Sequence, residues 1–412
     1  MMSNGDEDDA HADGQAPGER LRRVRRWRGM EQAALANLVG RSQSWLSKVE
    51  SGTTPLLRTV DIEALATVLQ VHPDELTGRP HRSSGGKPSH DVDVMVPAIR
   101  RALVDVVPDD RPVPVAELSR RVHTAIASMW RTGSMGELAA QLPSLVRAVR
   151  LAAESGAGED DHAQALQLLA VTTSTAFPLL KHCGHVDLAL LTEKMCASAA
   201  AELDDPVWRA YAGIRRSHSL IPLNAPDRAL VISREAIDLV EPYVGGSDAA
   251  RRVYGFAHLV SAVWAAQAYL ADDAAQHLRE ADRTAATVAD GDFWDLFFGP
   301  TNAAIHRTQV AATLGRGDEL PALAAGINET AVPGAVQRCY LHTNIALGLA
   351  QVRGRADDAV RELRVAEEIA PMRLRTRSAI VPGLVMQLLG KPMRASSLRE
   401  LRGLAYRVGI GA

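Results

Sequence analysis

The sequence predicts an all-α protein in which a small N-terminal domain of five helices precedes a long solenoid of helix hairpins. Hydrophobic residues make up 46% of the 412 residues but aromatic residues only 4%, and helix-favouring Ala, Leu and Arg are abundant. Residues 31–52 form two short amphipathic segments on either side of Gly40. A pattern of Asp and Ala then returns at regular intervals through the second half, as in a repeat protein.

The first part of the chain divides into a tail and a compact domain over 17–77. Residues 1–16 are acidic and rich in small residues, which predicts a disordered tail. Pro17 suits a first helical turn, Gly40 suits a helix end because glycine tolerates positive φ, and Ser42 is the expected N-cap of the next helix. The expected helices are 17–28, 31–38, 42–50, 59–70 and a short turn at 73–77.

The remainder of the chain begins with a linker over 78–92, which is rich in Gly, Ser and Pro. A helical connector is expected over 93–133 and a repeat domain over 134–412. The repeat is marked by five Asp residues, which are separated by 40, 45, 46 and 39 residues. They are Asp187, Asp227, Asp272, Asp318 and Asp357.

Each Asp is expected to cap the second helix of a hairpin. Ala274 and Ala281 lie seven residues apart, as do Ala359 and Ala366, so each pair falls on one helix face and lets a neighbouring helix approach closely. A plain helical bundle with coincidental Ala spacing is the alternative to a solenoid.

Positive charge is concentrated near the N-terminus. The whole chain has a net charge of −3, whereas residues 15–80 carry ten Lys or Arg against seven Asp or Glu. Six arginines fall within 17–28, and they form either a solvated basic face or a surface that contacts phosphates. A helix spreads six side chains over more than one side, so only one or two are expected to contact phosphates, with Arg22 and Arg26 as candidates.

Residues 31–52 resemble the helix-turn-helix of the phage-repressor (Cro/XRE) family. The resemblance rests on Gln32, Ala36, Gly40 and the closing Glu50-Ser51-Gly52. It implies that the second helix enters a DNA major groove, where Gln pairs with adenine and Lys reaches guanine. Trp45 either packs at the domain edge or touches a sugar or thymine methyl. The implied base contacts are Gln43, Ser44, Ser47 and Lys48, and the implied phosphate contacts are Gln32 and Ser42.

The last repeat, 338–371, resembles a tetratricopeptide (TPR) repeat through Gly354, Ala359, Leu363, Ala366 and Pro371. Helix-turn-helix domains fused to TPR-like repeats resemble peptide-sensing and actinobacterial regulators, which implies a concave groove for a peptide or small-molecule effector. The aromatic run 293–298 either packs in the core or lines such a groove or a dimer surface. The candidate groove residues are Asn302, Asn344, His306, Trp264 and Phe298.

No motif for catalysis, a cofactor or a metal stands out. The chain has three cysteines and no Cys-x-x-Cys, and His182-Cys183-Gly184-His185 has no second cluster to complete a zinc site. Walker loops and nucleophile elbows are missing, so we expect no enzyme. Without an apolar N-terminal segment or an apolar run of about 18 residues, we expect a cytoplasmic protein without a membrane span.

These observations together predict a sequence-specific DNA-binding transcriptional regulator. We expect a homodimer that binds an inverted-repeat operator in double-stranded DNA, with the repeats supplying dimerisation or effector sensing. The alternative is a TPR-type protein-interaction scaffold in which the helix-turn-helix is a tether or a protein-binding module.

Overall fold

Helices make up the computed structural model, together with one two-stranded hairpin in the part of the chain that it describes. The all-α prediction is therefore confirmed. Most of the predicted tail, of the predicted linker and of the turn at 73–77 lies outside the described residues. The structure describes residues 16–56, 59–69, 71, 76, 92, 94–104, 113–155, 158–182, 185–220, 225–332, 334–375, 380–408 and 410.

Four described helices form the N-terminal domain around one apolar core. Leu21, Leu35, Leu46 and Leu65 are fully buried where these helices meet. Pro17 begins the first helix, as predicted, because the first turn does not need its missing N–H. The helices are α1 (Pro17–Trp27), α2 (Gln32–Leu38), α3 (Gln43–Glu50) and α4 (Thr59–Leu69).

The rest of the described chain is a helical body, in which most helices pack against the next one as hairpins. The lead-in helices are α5 (Val96–Val104), α6 (Val115–Thr132) and α7 (Met135–Glu154). The hairpins are α8 (Glu159–His182) with α9 (Val186–Leu203), α10 (Pro206–Ser219) with α11 (Pro226–Val240), α12 (Asp248–Gln267) with α13 (Ala271–Ala285), α14 (Pro300–Thr313) with α15 (Leu320–Ala325), and α16 (Ala335–Leu349) with α17 (Ala356–Ile369). The body ends with α18 (Pro371–Arg375), α19 (Ile380–Leu389) and α20 (Ala395–Arg407).

Helix α6 connects distant parts of the body. It packs against α7 and α8, which follow it directly, and also against α16, some two hundred residues later. A Cβ at Gly334 would lie 2.5 Å from the backbone oxygen of Trp130, so the two segments approach closely. His123 of α6 stacks on Trp294 with ring centroids 4.0 Å apart. The connector therefore lies across the hairpins and is part of their core.

The Asp residues of the sequence repeat mark the second helices, but their predicted capping role is wrong. Four of them lie inside the first turn of their helix rather than at its N-cap position. The residues that do occupy the N-cap positions of those four helices make no side-chain capping hydrogen bond. A carboxylate in the first turn still stabilises the helix, because it lies near the positive end of the helix dipole. Asp318 lies in the turn before α15, whose N-cap position is Glu319. The four in first turns are Asp187 in α9, Asp227 in α11, Asp272 in α13 and Asp357 in α17.

The alanines of the repeat lie in the helix interfaces, as the spacing predicts. Ala274, Ala281, Ala359 and Ala366 have no exposed surface. Because an alanine side chain ends at Cβ, the first helix of each hairpin can pack closely against the second.

The aromatic run forms a short β-hairpin where the sequence predicts only helices. Strands β1 (Gly291–Phe293) and β2 (Leu296–Phe298) are antiparallel, and Trp294 in their tight turn has φ of +57°. The buried Asp295 accepts a hydrogen bond from the hydroxyl of Tyr211 at 2.8 Å and pairs with Arg215 at 2.6 Å. The tight turn at Trp294 and Asp295 directs the carboxylate of Asp295 to Tyr211 and Arg215. This segment therefore forms strands rather than a helix.

Helix α8 has the length and apolar composition of a membrane span over Glu159–Lys181, although the sequence predicts no such segment. Its most apolar stretch is 72% buried inside the protein. Neighbouring helices α6, α7 and α9 supply that cover. In this structure α8 is a core helix.

His342 on α16 lies between two glutamates. Its Nδ1 is 2.7 Å from a carboxylate oxygen of Glu362, and its Nε2 is 3.0 Å from one of Glu329. Burial alone lowers the pKa of the imidazole, but hydrogen bonds with both carboxylates and their charge outweigh burial and raise it above the ordinary value of 6.5. The protonated ring therefore donates to both partners and joins α16 to α17.

The protein is expected to lose stability as the pH rises through the folded-state pKa of His342. A raised pKa means that the folded state holds the proton more tightly, so this contribution is complete below the unfolded pKa of about 6.5 and is lost above the folded value. The free energy of unfolding should therefore fall with rising pH in this window. In His342→Gln that fall should be missing, and identical pH profiles of the two proteins would contradict the assignment.

Candidate DNA-binding surface

Helix α3 presents four polar side chains to solvent and its apolar side to the core. Gln43, Ser44, Ser47 and Lys48 are all exposed, although the helical body packs nearby. Leu46 and Val49 on the other side are almost fully buried. The four side chains predicted to contact bases therefore share the open face of one helix, as entry into a major groove requires.

The turn into α3 is fixed by local chemistry that the sequence predicts. Gly40 has φ of +68°, and the N–H of Arg41 donates back to the Ala36 oxygen at 2.8 Å, which closes the end of α2. Ser42 then caps α3, since its Oγ accepts from the N–H of Trp45 at 3.1 Å. Ala36 is fully buried, as expected of the small residue where the two helices cross.

A buried ion pair joins the first helix to the end of the recognition helix. The Nε and Nη2 of Arg25 donate to the two carboxylate oxygens of Glu50 at 2.5 and 2.9 Å, and both side chains are less than a tenth exposed. The hydrogen bonds to Glu50 raise the pKa of Arg25. The side chain of Gln32, predicted to contact a phosphate, donates to the same carboxylate at 2.8 Å. This network fixes the position of α3 against α1 and α2.

The arginines of α1 divide between the core and the solvent. Arg22 and Arg26, the predicted phosphate contacts, are exposed and lie one turn apart on the same side of the helix. Arg20 and Arg25 are buried, with exposed fractions of 6% and 7%. Trp27 is 70% exposed. The six arginines are therefore not a single solvated face, and part of them belongs to the structure of the domain.

The N-terminal domain is similar to a known protein family. Residues 18–77 match the profile of a helix-turn-helix domain. The N-terminal domain is therefore a helix-turn-helix module of the kind that DNA-binding regulators carry. The match does not extend into the helical body. No curated protein and no solved structure is significantly similar to the chain.

The candidate groove residues of the body are engaged inside it. Phe298 is fully buried and packs on Gly255, where a Cβ would lie 2.0 Å from its ring. The side-chain amide of Asn302 donates to the Phe297 oxygen at 2.5 Å. The side-chain amide of Asn344 lies 3.4 Å from the hydroxyl of Thr308. Their present role is packing, and the effector groove stays a prediction.

Two further groove candidates, Trp264 on α12 and His306 on α14, also have hydrogen-bond partners inside the body. The indole N–H of Trp264 donates to the hydroxyl of Ser217 at 3.1 Å. Burial lowers the pKa of His306 to about 4, so its ring is neutral at physiological pH. The Nδ1 of this ring lies 3.0 Å from the backbone oxygen of Asn302. Within the described part of the chain, no group of three or more His, Cys, Asp or Glu could hold a metal ion.

Local sequence signals could not reveal the partners of two residues at this surface. Arg25 forms its ion pair with Glu50, which lies 25 residues later in the chain. Trp45 packs against Tyr269 of the helical body, with ring centroids 6.2 Å apart. The closing Glu50-Ser51-Gly52 pattern singles out the glutamate, but nothing near Tyr269 in the sequence points to the N-terminal domain.

Proposed function

We propose that this protein is a sequence-specific transcriptional regulator that reads DNA with the exposed face of α3. The observation that carries the proposal is the joint exposure of Gln43, Ser44, Ser47 and Lys48 on a braced, capped helix of a helix-turn-helix module. Gln43 is suited to pair with adenine and Lys48 to reach guanine. The hydroxyls of Ser44 and Ser47 supply weaker contacts at the same groove edge.

Phosphate contacts would orient the domain on the duplex. Gln32 begins α2, so its backbone N–H is available to a phosphate even while its side chain is bound to Glu50. Ser42 supplies the corresponding N-terminus of α3, and Arg22 and Arg26 extend the positive surface along α1. These contacts carry no base preference but fix the register in which α3 meets the groove.

The helical body would control how the protein assembles and binds DNA. We propose a cytoplasmic homodimer of the phage-repressor (XRE) type on an inverted-repeat operator, because two-fold symmetric sites suit helix-turn-helix dimers. The hairpins of the body, which carry TPR-like Ala and Gly positions, would supply dimerisation and bind a peptide, small-molecule or protein effector. Such an effector would favour one arrangement of the DNA-binding domains over another.

Salt dependence of DNA binding tests whether α1 takes part. The slope of log affinity against log salt falls by about 0.9 for each phosphate that a side chain no longer neutralises, so Arg22→Ala with Arg26→Ala should reduce its magnitude by about 2. The matched control is Arg131→Ala with Arg228→Ala, which removes two exposed arginines of the body. Equal slopes of log affinity against log salt in the unaltered protein and both double variants would show that α1 does not contact DNA phosphates. If the unaltered protein binds no duplex at low salt, DNA binding itself is contradicted.

A further inference from the structure

One aromatic side chain of the helical body is seated on the DNA-binding domain. Tyr269, in the turn between α12 and α13, meets Trp45 of α3 edge to face, with an interplanar angle of 80°. The guanidinium of Arg41 lies 4.7 Å from the centre of the Tyr269 ring and 5.7 Å from that of Trp45. Trp45 is only 8% exposed. Edge-to-face aromatic contacts and cation–π contacts are directional, so they fix orientation as well as distance.

The backbone of Tyr269 adopts a conformation that favours glycine. Its φ is +63°, and the N–H groups of Tyr269 and Leu270 donate to the oxygens of Ala266 and Ala265. The turn between α14 and α15 of the next hairpin has the same geometry, with Gly315 in place of Tyr269 at φ of +77°. There the N–H groups of Gly315 and Arg316 donate to the backbone oxygens of Ala312 and Ala311. Tyrosine therefore occupies a glycine position, at a cost in backbone strain. The same residue contacts Arg41 and Trp45 of the DNA-binding domain.

Two more contacts hold the same side of the domain. The side-chain amide of Gln387 in α19 donates to the Gly52 oxygen at 2.6 Å, just beyond the end of α3. A Cβ at Gly315 would lie 3.4 Å from the hydroxyl of Thr54, so this turn also touches the domain. The body thus contacts α3 near both of its ends. The open face of α3 is left to solvent.

We propose that Tyr269 is a positioning residue for DNA recognition: it docks the DNA-binding domain on the helical body and sets the direction in which α3 points. The inference rests on the proposed function and adds the residue through which the body acts on it. In the docked state the base-contacting side chains stay accessible, so docking orients α3 for binding rather than blocking it. In a dimer it also fixes the separation of two recognition helices, which governs binding to paired half-sites.

The distance between the domain and the body tests docking without DNA. Spin labels at Leu38→Cys and Val231→Cys report it, because both positions are exposed and Cys196 and Cys339 are buried. Cys183→Ser in the same background removes the third cysteine. The unaltered Tyr269 protein should give one narrow distance distribution by pulsed electron paramagnetic resonance.

Variants at Tyr269 separate the ring from the backbone. Tyr269→Gly removes the ring but suits the positive φ, so the body should remain as stable as before while the distance distribution broadens at least twofold. Tyr269→Phe keeps the ring and should keep the narrow distribution, as should Tyr243→Gly at an exposed tyrosine elsewhere on the body. An unchanged distribution in Tyr269→Gly would overturn the proposal.

DNA binding gives the second measurement. On an operator with two half-sites, Tyr269→Gly should weaken binding by about tenfold, because the freed domains must then be ordered on binding. On a duplex with one half-site the affinity should change less than twofold. Equal losses on both duplexes would place the effect in α3 itself and overturn the positioning role. If the unaltered protein selects no operator, the proposed function fails, whereas the distance measurement still decides the docking.

Discussion

Replacing Arg25 by alanine should strongly destabilise the DNA-binding domain. The substitution leaves the carboxylate of Glu50, which is 4% exposed, without its charged partner, and of the side chains in this network only Gln32 still donates to it. Breaking a buried ion pair from one side costs about 3–5 kcal/mol, a large share of the 5–15 kcal/mol that stabilises a typical domain. It also removes the hydrogen bond to the Met30 oxygen. Amide hydrogen exchange of the full chain would measure the loss of protection in α1–α4.

Two further variants separate the ion pair from general effects of substitution. Arg23→Ala removes an exposed arginine of the same helix and should change stability by no more than about 0.5 kcal/mol. Arg25→Met with Glu50→Leu removes both charges and should recover part of the loss, because no buried carboxylate is left unpaired. Unchanged exchange in Arg25→Ala would show that the pair does not hold α3 in place.

Replacing Gln43 and Lys48 together by alanine should abolish discrimination between an operator and unrelated DNA. Each bidentate contact to a base contributes about 1–3 kcal/mol of discrimination, so the pair accounts for about 2–6 kcal/mol. Both side chains are exposed, and their removal should leave the fold intact. Non-specific affinity should fall only slightly, because phosphate contacts supply most of it. Competition binding with operator and scrambled duplexes measures the ratio.

The control for this pair is Gln141→Ala with Lys194→Ala, which removes the same two residue types from exposed positions on the body. That protein should keep the discrimination of the unaltered chain. An undiminished ratio in Gln43→Ala with Lys48→Ala would contradict direct readout of bases by α3.

The features predictable from sequence are those that depend on neighbouring residues. The positive φ at Gly40, the capping hydroxyl of Ser42 and the burial of Ala274 each follow from local steric or hydrogen-bonding requirements. The role of the repeated Asp residues is predictable only in part. A carboxylate stabilises the start of a helix both at the N-cap position and in the first turn. The geometry of the preceding turn decides which of these positions each Asp occupies.

Features that depend on distant residues are not predictable in this way. Asp295 is stable in the core because Tyr211 and Arg215 reach it from α10, so no local pattern indicates the β-hairpin. The engagement of Asn302 with Phe297 likewise depends on that hairpin. Tyr269 and Trp45 are more than two hundred residues apart, and only the folded chain brings their rings together.

Binding-site selection from random duplexes by the purified protein shows whether α3 reads a defined DNA sequence. We expect one enriched motif with two inverted half-sites whose centres lie about 10 base pairs, or a multiple of that, apart. Enrichment should disappear in the variant that lacks Gln43 and Lys48. Retention of DNA at low salt without any enriched motif would contradict sequence-specific reading by α3.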